Sequence, residues 1–352
     1  MGTQKKKPTF NLKQFRREHP RIVVLVIVFL ALVIAWPLAS WLSWTLSPAK
    51  EKYTFGASFS VPQSEQFGSD WRANYTALLD DLGVRSFRLM SYWDRYEPVR
   101  GQIDLSELDW QMDQAALRGA KVSLAIGLRQ PRWPECHEPK WSLRLNKDEW
   151  KQALYAYIEI VVKRYEHHPA LENFQLENES QAWYFGDCRE QPDPARVREE
   201  FRLVRSWTDK PIWMSLSDQY GPPFGYPATD AYGYSLYTKV YNNLIPGTYI
   251  DPSPPLWFHQ ARGAIIKAAK NKPLFLHELQ LEPWGSKFIG EMTTSEQQET
   301  MNPDRIRYNL EFARKLDVDH IYTWGSEWWY WARDHGQPEV WQTVKTEVQA
   351  SK

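Results

Sequence analysis

From residue 54 to the end of the chain, short apolar runs typical of β-strands alternate with amphipathic helical patterns. The eight strand candidates are Phe55–Phe59, Ser86–Met90, Val122–Ile126, Phe174–Glu177, Ile212–Leu216, Ala231–Ser235, Leu274–His277 and Ile321–Trp324. The helical patterns are Trp71–Leu82, Ser106–Arg118, Lys147–His168, Pro194–Trp207, Leu256–Ala269 and Pro303–Lys315, and none is clear after the fifth strand. Eight alternating units predict an α/β fold with a closed (β/α)8 barrel, the TIM barrel, because a doubly wound open sheet rarely needs so many.

The segment before the barrel is an apolar run of 25 residues, Ile22–Leu46, without a charged side chain. It is long enough to span a bilayer, and tryptophans near its far end suit the membrane interface. Seven basic residues and one acid precede it in residues 1–21, which predicts a cytoplasmic N-terminus. We therefore predict a cytoplasmic tail (1–21), one transmembrane anchor in the cell membrane (22–46), a stem (47–53) and an extracytoplasmic barrel (54–352). A cleaved signal peptide is the alternative, with Ala39 near a possible cleavage site.

The distribution of charge and the number of cysteines limit the classes of function and site that the chain can have. The chain has 43 basic and 43 acidic residues, so the charge of +6 on residues 1–21 leaves −6 on the rest. An acidic body lacks the basic surface that nucleic-acid binding needs.

The only cysteines are Cys136 and Cys188, and we predict one disulfide that joins the loops after the third and fourth strands. No His/Cys cluster has metal-ligand spacing, so no metal and no cofactor is predicted.

Two acids stand at the ends of strand candidates. Glu179 follows the fourth strand and Glu278 follows the seventh. The loops after barrel strands share one face, where TIM barrels build their active sites. Glycoside hydrolysis needs one carboxylic acid to protonate the leaving oxygen and one carboxylate to attack or to activate water. Glu179 and Glu278 are therefore the candidate catalytic pair.

The order of these residues resembles the clan A glycoside hydrolases, barrels with an Asn-Glu acid/base after strand four and a Glu nucleophile after strand seven. The resemblance covers residues 54–335, and residues 92–109 are similar to the segment after strand two in cellulase-like and β-galactosidase-like members. It implies that Glu179 is the acid/base, that Glu278 is the nucleophile and that Asn178 binds the sugar 2-hydroxyl.

The same resemblance implies three supporting residues. Arg88, at the end of the second strand, would lie near the nucleophile, and Trp324, at the end of the eighth, would stack on a sugar. A tyrosine would hydrogen-bond the nucleophile. Tyr237 is our choice and Tyr234 is the alternative, because the strand register decides which one faces the site.

Aromatic residues are abundant, with 19 tryptophans and 18 tyrosines. Aromatic rings stack on the apolar faces of sugars, so Trp133 and Trp284, in loops after the third and seventh strands, are predicted to bind substrate. The predicted function is a retaining glycoside hydrolase that acts on an oligo- or polysaccharide. The alternatives are a transglycosylase that uses the same pair and a glycan-binding barrel without catalysis.

A retaining mechanism sets a geometric expectation. The two carboxyl groups should lie about 5–5.5 Å apart, not the roughly 6.5–9.5 Å of inverting enzymes. The charge of Glu278 should then raise the pKa of Glu179 and keep it protonated, while Arg88 and Tyr237 keep Glu278 ionised.

Overall fold

The computed structural model describes residues 12–189, 192–216, 218–221 and 224–352, and its centre is a closed barrel of eight parallel strands. In chain order these are β1 (Thr54–Ser58), β2 (Ser86–Met90), β3 (Lys121–Ile126), β4 (Leu171–Leu176), β5 (Ile212–Ser215), β6 (Ala231–Leu236), β9 (Leu274–Gln280) and β10 (His320–Trp324). Two further strands, β7 (Val240–Tyr241) and β8 (Tyr249–Ile250), form an antiparallel hairpin outside the barrel. The predicted fold is confirmed, and each predicted strand coincides with a barrel strand.

Helices surround the barrel. They are α1 (Leu12–Glu18), α2 (Pro20–Leu46), α3 (Val61–Gln66), α4 (Trp71–Asp80), α5 (Trp93–Tyr96), α6 (Ser106–Leu117), α7 (Lys147–Tyr165), α8 (Pro194–Trp207), α9 (Leu256–Lys270), α10 (Thr294–Thr300), α11 (Pro303–Arg314), α12 (Ser326–Asp334) and α13 (Pro338–Ala350), with 3₁₀ turns at Ser142–Arg144 and Ile289–Glu291. All six predicted helices are present. The described residues between β5 and β6 contain no helix, in agreement with the absent pattern there.

Large side chains fill the lower interior of the barrel where two strands carry glycine. The rings of Tyr322 and Phe275 lie over Gly56 and Gly233, and a Cβ atom at Gly56 would lie 2.5 Å from the Tyr322 ring. The outward-facing strand residues instead pack with the helices in one continuous apolar core. Above these rings, polar side chains occupy the barrel interior towards the carboxyl ends of the strands.

Strand β9 contains a β-bulge. Against β6, Leu276 pairs with Tyr234 and Glu278 pairs with Ser235, so that His277 is an extra residue. The pairing with β10 shows the same extra residue in β9. A bulge interrupts the alternation of side chains between the two faces of a strand. Consecutive residues of β9 can therefore both point into the barrel.

The N-terminal helix α2 packs its last turns on the barrel. The Trp44 ring stacks on Tyr308 at 5.2 Å between ring centres, and Lys315 Nζ donates to the Ser47 carbonyl at 2.9 Å. Residues 47–53 continue along the barrel, where the Lys50 backbone N–H donates to Arg314 O at 2.8 Å. Within the described part of the chain, α2 is the one helix long and apolar enough to cross a bilayer, a property that a signal sequence shares.

Candidate active site

A cleft of about 570 Å³ opens at the carboxyl ends of the strands. Its walls include Arg132, Trp133, Glu135, Glu179, Asp218, Tyr237, Glu278, Trp284 and Trp324. Six of the eight predicted catalytic and substrate-binding residues thus line one cleft. The other two, Arg88 and Asn178, lie beneath it and contact Glu278.

Glu278 is held by three hydrogen bonds from buried or partly buried groups. Arg88 Nη1 donates to its Oε1 at 3.0 Å, and Asn178 Nδ2 lies 3.4 Å from the same oxygen. The Tyr237 hydroxyl donates to Oε2 at 2.8 Å. Burial and the negative charge of Glu278 raise the pKa of Tyr237 well above its usual value, so this hydroxyl retains its proton. These donors hold both carboxyl oxygens of Glu278 in place.

Arg88 is fully buried and fixes the polar floor of the cleft. Its Nε donates to Gln175 Oε1 at 2.7 Å and its Nη2 to Asn178 Oδ1 at 2.8 Å. Because a guanidinium fork holds several acceptors in one plane, Arg88 orients Asn178 and Glu278 together.

Glu179 leaves β4 through an unusual backbone path. Glu177 and Glu179 have φ values of 59° and 45°, in the left-handed region that non-glycine residues rarely adopt. Hydrogen bonds hold this path, since the Glu179 N–H donates to Ser215 Oγ at 2.7 Å and the Glu177 carboxylate accepts from Leu128 N at 2.7 Å. Strain of this kind concentrates at functional sites.

The Glu179 carboxyl group is almost fully buried, and burial raises its pKa to about 7. The second cause is the negative charge of Asp218, while the hydrogen bond from Ser235 Oγ, 3.1 Å from Oε1, acts in the opposite direction. The expected direction of the shift is correct. The leading causes are burial and then Asp218, and not the charge of Glu278 that the sequence led us to expect.

The two carboxylates are close enough to act on one bond. One oxygen of Glu179 and one of Glu278 lie within 4.8 Å of each other, together with a nitrogen of His277. His277 Nε2 is 3.5 Å from Glu179 Oε1, and burial lowers its pKa to about 3, so the imidazole is neutral. Three such groups could hold a cation, but Arg88 already contacts the Glu278 oxygen concerned, and its positive charge disfavours a cation there.

The predicted aromatic residues occupy different parts of the cleft. Trp133 and Trp284 are exposed at its mouth, with 72% and 43% of their surfaces accessible. Trp324 lies deeper, and the Arg132 guanidinium covers its ring at 3.9 Å from the centre. Tyr234 faces outward from β6 and stacks near His259, so Tyr237 is the tyrosine that contacts Glu278.

The sequence reasoning missed a third carboxyl group in the site. Glu135, in the loop after β3, accepts a hydrogen bond from Asn178 Nδ2 at 3.3 Å. Burial, followed by the charges of Glu278 and Glu179, raises its pKa well above the usual range. The residue lies within a Trp-Pro-Glu-Cys segment without strand or helix periodicity, so no sequence pattern indicated where its side chain would point.

A buried arginine joins the loops after β3 and β9 to the first turn of α12 at the rim of the cleft. Arg132 Nη1 donates to Glu282 Oε1 at 2.6 Å and Nη2 to Glu327 Oε2 at 2.8 Å. From the sequence, Glu282 and Glu327 are the alternatives to Glu278 as the nucleophile, and both are hydrogen-bonded to this guanidinium. Neither is hydrogen-bonded to Arg88 in the described residues.

The predicted disulfide is present. Cys136 and Cys188 are bonded, and they join the loop after β3 to the loop after β4. These loops also carry Trp133, Glu135 and Glu179, so the disulfide lies beside the cleft.

No protein-family model and no curated protein sequence matches the chain. Among solved structures, the chain is similar to an exo-β-1,4-mannosidase from Opitutaceae bacterium strain TAV5, with 17% identity, 87% of this chain and 62% of that chain covered, and a TM-score of 0.56. It is also similar to GH5_18 from Streptomyces cattleya in complex with GlcNAc (14% identity, 79% and 71% covered, TM-score 0.53). A third is the endo-glycoceramidase II from Rhodococcus sp. (14% identity, 79% and 76% covered, TM-score 0.53).

At these identities the likeness establishes the barrel fold. The chain spans less than two thirds of the mannosidase chain. What the chain does is therefore argued from the site itself.

Proposed function

We propose that the barrel is a retaining glycoside hydrolase that cleaves an oligo- or polysaccharide by double displacement. The observation that carries the proposal is a pair of buried glutamates with oxygens within 4.8 Å. A closest approach within 4.8 Å supports the retaining class, in which the carboxyl groups are about 5–5.5 Å apart, over the roughly 6.5–9.5 Å of inverting enzymes. The two environments also differ, which suits different roles for the two residues.

In the first step, Glu278 attacks the anomeric carbon while Glu179 gives its proton to the leaving oxygen. The glycosidic bond breaks, a glycosyl ester forms on Glu278, and Glu179 becomes a carboxylate. In the second step, Glu179 removes a proton from water, and the water oxygen displaces Glu278 from the anomeric carbon. The donors on Glu278, Arg88 and Tyr237, stabilise it as the leaving carboxylate.

Substitution of the two glutamates tests these roles. Glu278→Ala should abolish turnover, because no nucleophile remains. Glu179→Ala should lower the rate about 10²–10⁴-fold on substrates that need protonation of the leaving group. It should remain reactive with aryl glycosides of good leaving groups, and azide should restore part of its rate. Glu299→Ala, at an exposed position of α10, serves as the control.

Hydrolysis rates are measured with a panel of aryl glycosides. NMR then gives the anomeric configuration of the first-formed product. Near-normal activity of Glu278→Ala, or a first product of inverted anomeric configuration, would show the assignment to be wrong. Whether the products are free sugars or lengthened oligosaccharides distinguishes hydrolysis from transglycosylation.

We also propose that α2 is retained as a single membrane anchor, with residues 1–21 in the cytoplasm and the barrel, residues 54–352, outside. The length and apolarity of α2 support the span, and the basic residues before it support the orientation. The Cys136–Cys188 disulfide supports an oxidising compartment for the barrel.

A further inference from the structure

The exposed apolar side chains of the barrel are concentrated at its catalytic end. Outside α2, 15 large apolar residues in the described part of the chain are exposed, and 11 of them lie in segments that follow the carboxyl ends of strands. The other four lie on helices: Leu117, Ile160, Ile265 and Tyr308. Exposed patches of this kind mark interaction surfaces.

The tip of the β7–β8 hairpin is the most exposed part of this end. Leu244 and Ile245, adjacent in the chain, have 92% and 59% of their surfaces accessible. Residues 240–250 contain no charged side chain, although 24% of the whole chain is charged. Aliphatic side chains do not provide the flat face on which sugars stack, so the tip is unsuited to be an aromatic sugar platform.

Several backbone polar groups of the tip are paired within the hairpin itself. Asn242 Oδ1 accepts from the N–H groups of Leu244 and Ile245 at 3.0 and 3.3 Å. The Ile245 carbonyl accepts from Thr248 Oγ1 at 2.7 Å. Backbone groups that enter lipid must be paired, because no water is present there to replace the lost hydrogen bonds. These internal hydrogen bonds reduce the number of backbone groups that would lose water on entering lipid.

The path of α2 brings the membrane to the same side of the barrel. The last residues of α2 reach the amino-end rim of the barrel, where Lys315 Nζ donates to the Ser47 carbonyl. Further back along α2, Trp36 contacts Trp257 in the first turn of α9, with 5.0 Å between the ring centres. From Arg21 to Ala35 every residue except Val23 is exposed. The free half of α2 thus leaves the barrel beside the start of α9, which follows β8 by five residues, 251–255.

We propose that the β7–β8 tip inserts into the bilayer that holds α2, as a second membrane contact. The cleft, on the same end of the barrel, then opens towards the membrane surface. Tyr241 and Tyr249 flank the tip, in positions that suit the polar interface, where tyrosine is favoured. If the proposed hydrolase function is correct, on which this last step rests, the substrate class is glycan held at the membrane surface, such as the headgroup of a glycolipid.

The docking is tested with the full chain in phosphatidylcholine vesicles. Leu244→Cys is labelled with an environment-sensitive fluorophore without reductant, because the two native cysteines are bonded to each other. Leu117→Cys, also highly exposed but at the end of α6, is the matched control on the same tether. Lipids with a quencher in the acyl chain should reduce the emission at position 244 and leave position 117 unchanged.

Equal quenching at both positions, or none at either, would overturn the docking and would leave the tip as a surface for a protein. The measurement needs no hydrolysis, so it is valid even if the proposed function fails.

A second comparison tests the substrate class. The double variant Leu244→Asp/Ile245→Asp should hydrolyse a soluble aryl glycoside at the unchanged rate, and should lose activity on the same sugar carried by a dialkylglycerol in the vesicle. Equal activity of variant and parent on both substrates would overturn the inference that the substrate is a glycan held at the membrane surface. Absence of hydrolysis of any glycoside by the parent chain would instead show the proposed function to be wrong.

Discussion

The protonation state of Glu179 depends on the groups that surround its side chain. Because burial and Asp218 raise its pKa to about 7, it is protonated below that pH and loses its proton as the pH rises through it. The proposed acid step requires the proton, so kcat/KM should fall on the alkaline side with an apparent pKa near 7. A pH–rate profile of the parent chain measures it.

Asp218→Asn removes a negative charge that raises the pKa of Glu179. The alkaline limb should therefore move to lower pH, while Asp304→Asn, on the exposed start of α11, should leave it in place. An unchanged limb in Asp218→Asn would contradict the role given to that charge.

Glu135 is a second residue whose charge state is set by its neighbours. Burial and the charges of Glu278 and Glu179 raise its pKa well above the usual range, which favours the neutral form of the side chain. Glu135→Gln, a neutral side chain of the same shape, should therefore keep kcat/KM within a few-fold of the parent. Glu135→Ala leaves Asn178 without this acceptor and should cost about tenfold, which corresponds to about 1.4 kcal/mol. If Gln and Ala were equally harmful, Glu135 would have to act as a carboxylate.

At the scale of elements, one helix supports the strained end of β4. Arg196 of α8 donates to Glu177 Oε1 at 2.9 Å and also contacts Glu200, and all three side chains are buried. Burial raises the pKa of Glu177, but Arg196 and the backbone N–H groups of Leu128 and Arg129 lower it below its usual value. The ion pair thus connects α8 to the loops after β3 and β4 that carry the site.

Arg196→Leu should destabilise the barrel by about 3–5 kcal/mol, because two buried acids lose their counter-charge. In the parent, the lowered pKa of Glu177 adds stability above its unfolded value, about 4.3, and that stability is lost as the pH falls through the folded value. The variant loses this contribution, so its deficit should be constant from pH 8 to about pH 5 and should shrink as the pH falls below about 4.3, where the parent loses the contribution too. Urea unfolding followed by tryptophan fluorescence measures it. Arg198→Leu, exposed on the same helix, should change little.

At the scale of the whole molecule, no free spacer separates α2 from the barrel, since residues 47–53 pack on the barrel. We expect a C-terminally tagged chain to remain in the membrane fraction after high-salt and alkaline washes and to be released only by detergent. Intact-mass measurement should show the full N-terminal segment. A mature N-terminus near Ser40, or release without detergent, would contradict the anchor.

Several features followed from the sequence because they depend on local pattern alone. The alternation of strand and helix determined the barrel, and the 25-residue apolar run determined α2. Residues at strand ends necessarily share one face of a parallel barrel, so Glu179 and Glu278 could be selected before their distance was known. With only two cysteines, the pairing of Cys136 with Cys188 had one solution.

Only the tertiary structure decided which side chains face each other. The bulge at His277 places it and Glu278 together in the site, against the strict alternation of a regular strand. The choice of Tyr237 over Tyr234, the entry of Glu135, and the effect of Asp218 on Glu179 likewise depend on loops that are distant in sequence. Strand pairing, burial and through-space charge are properties of packed neighbours, and a one-dimensional pattern does not contain them.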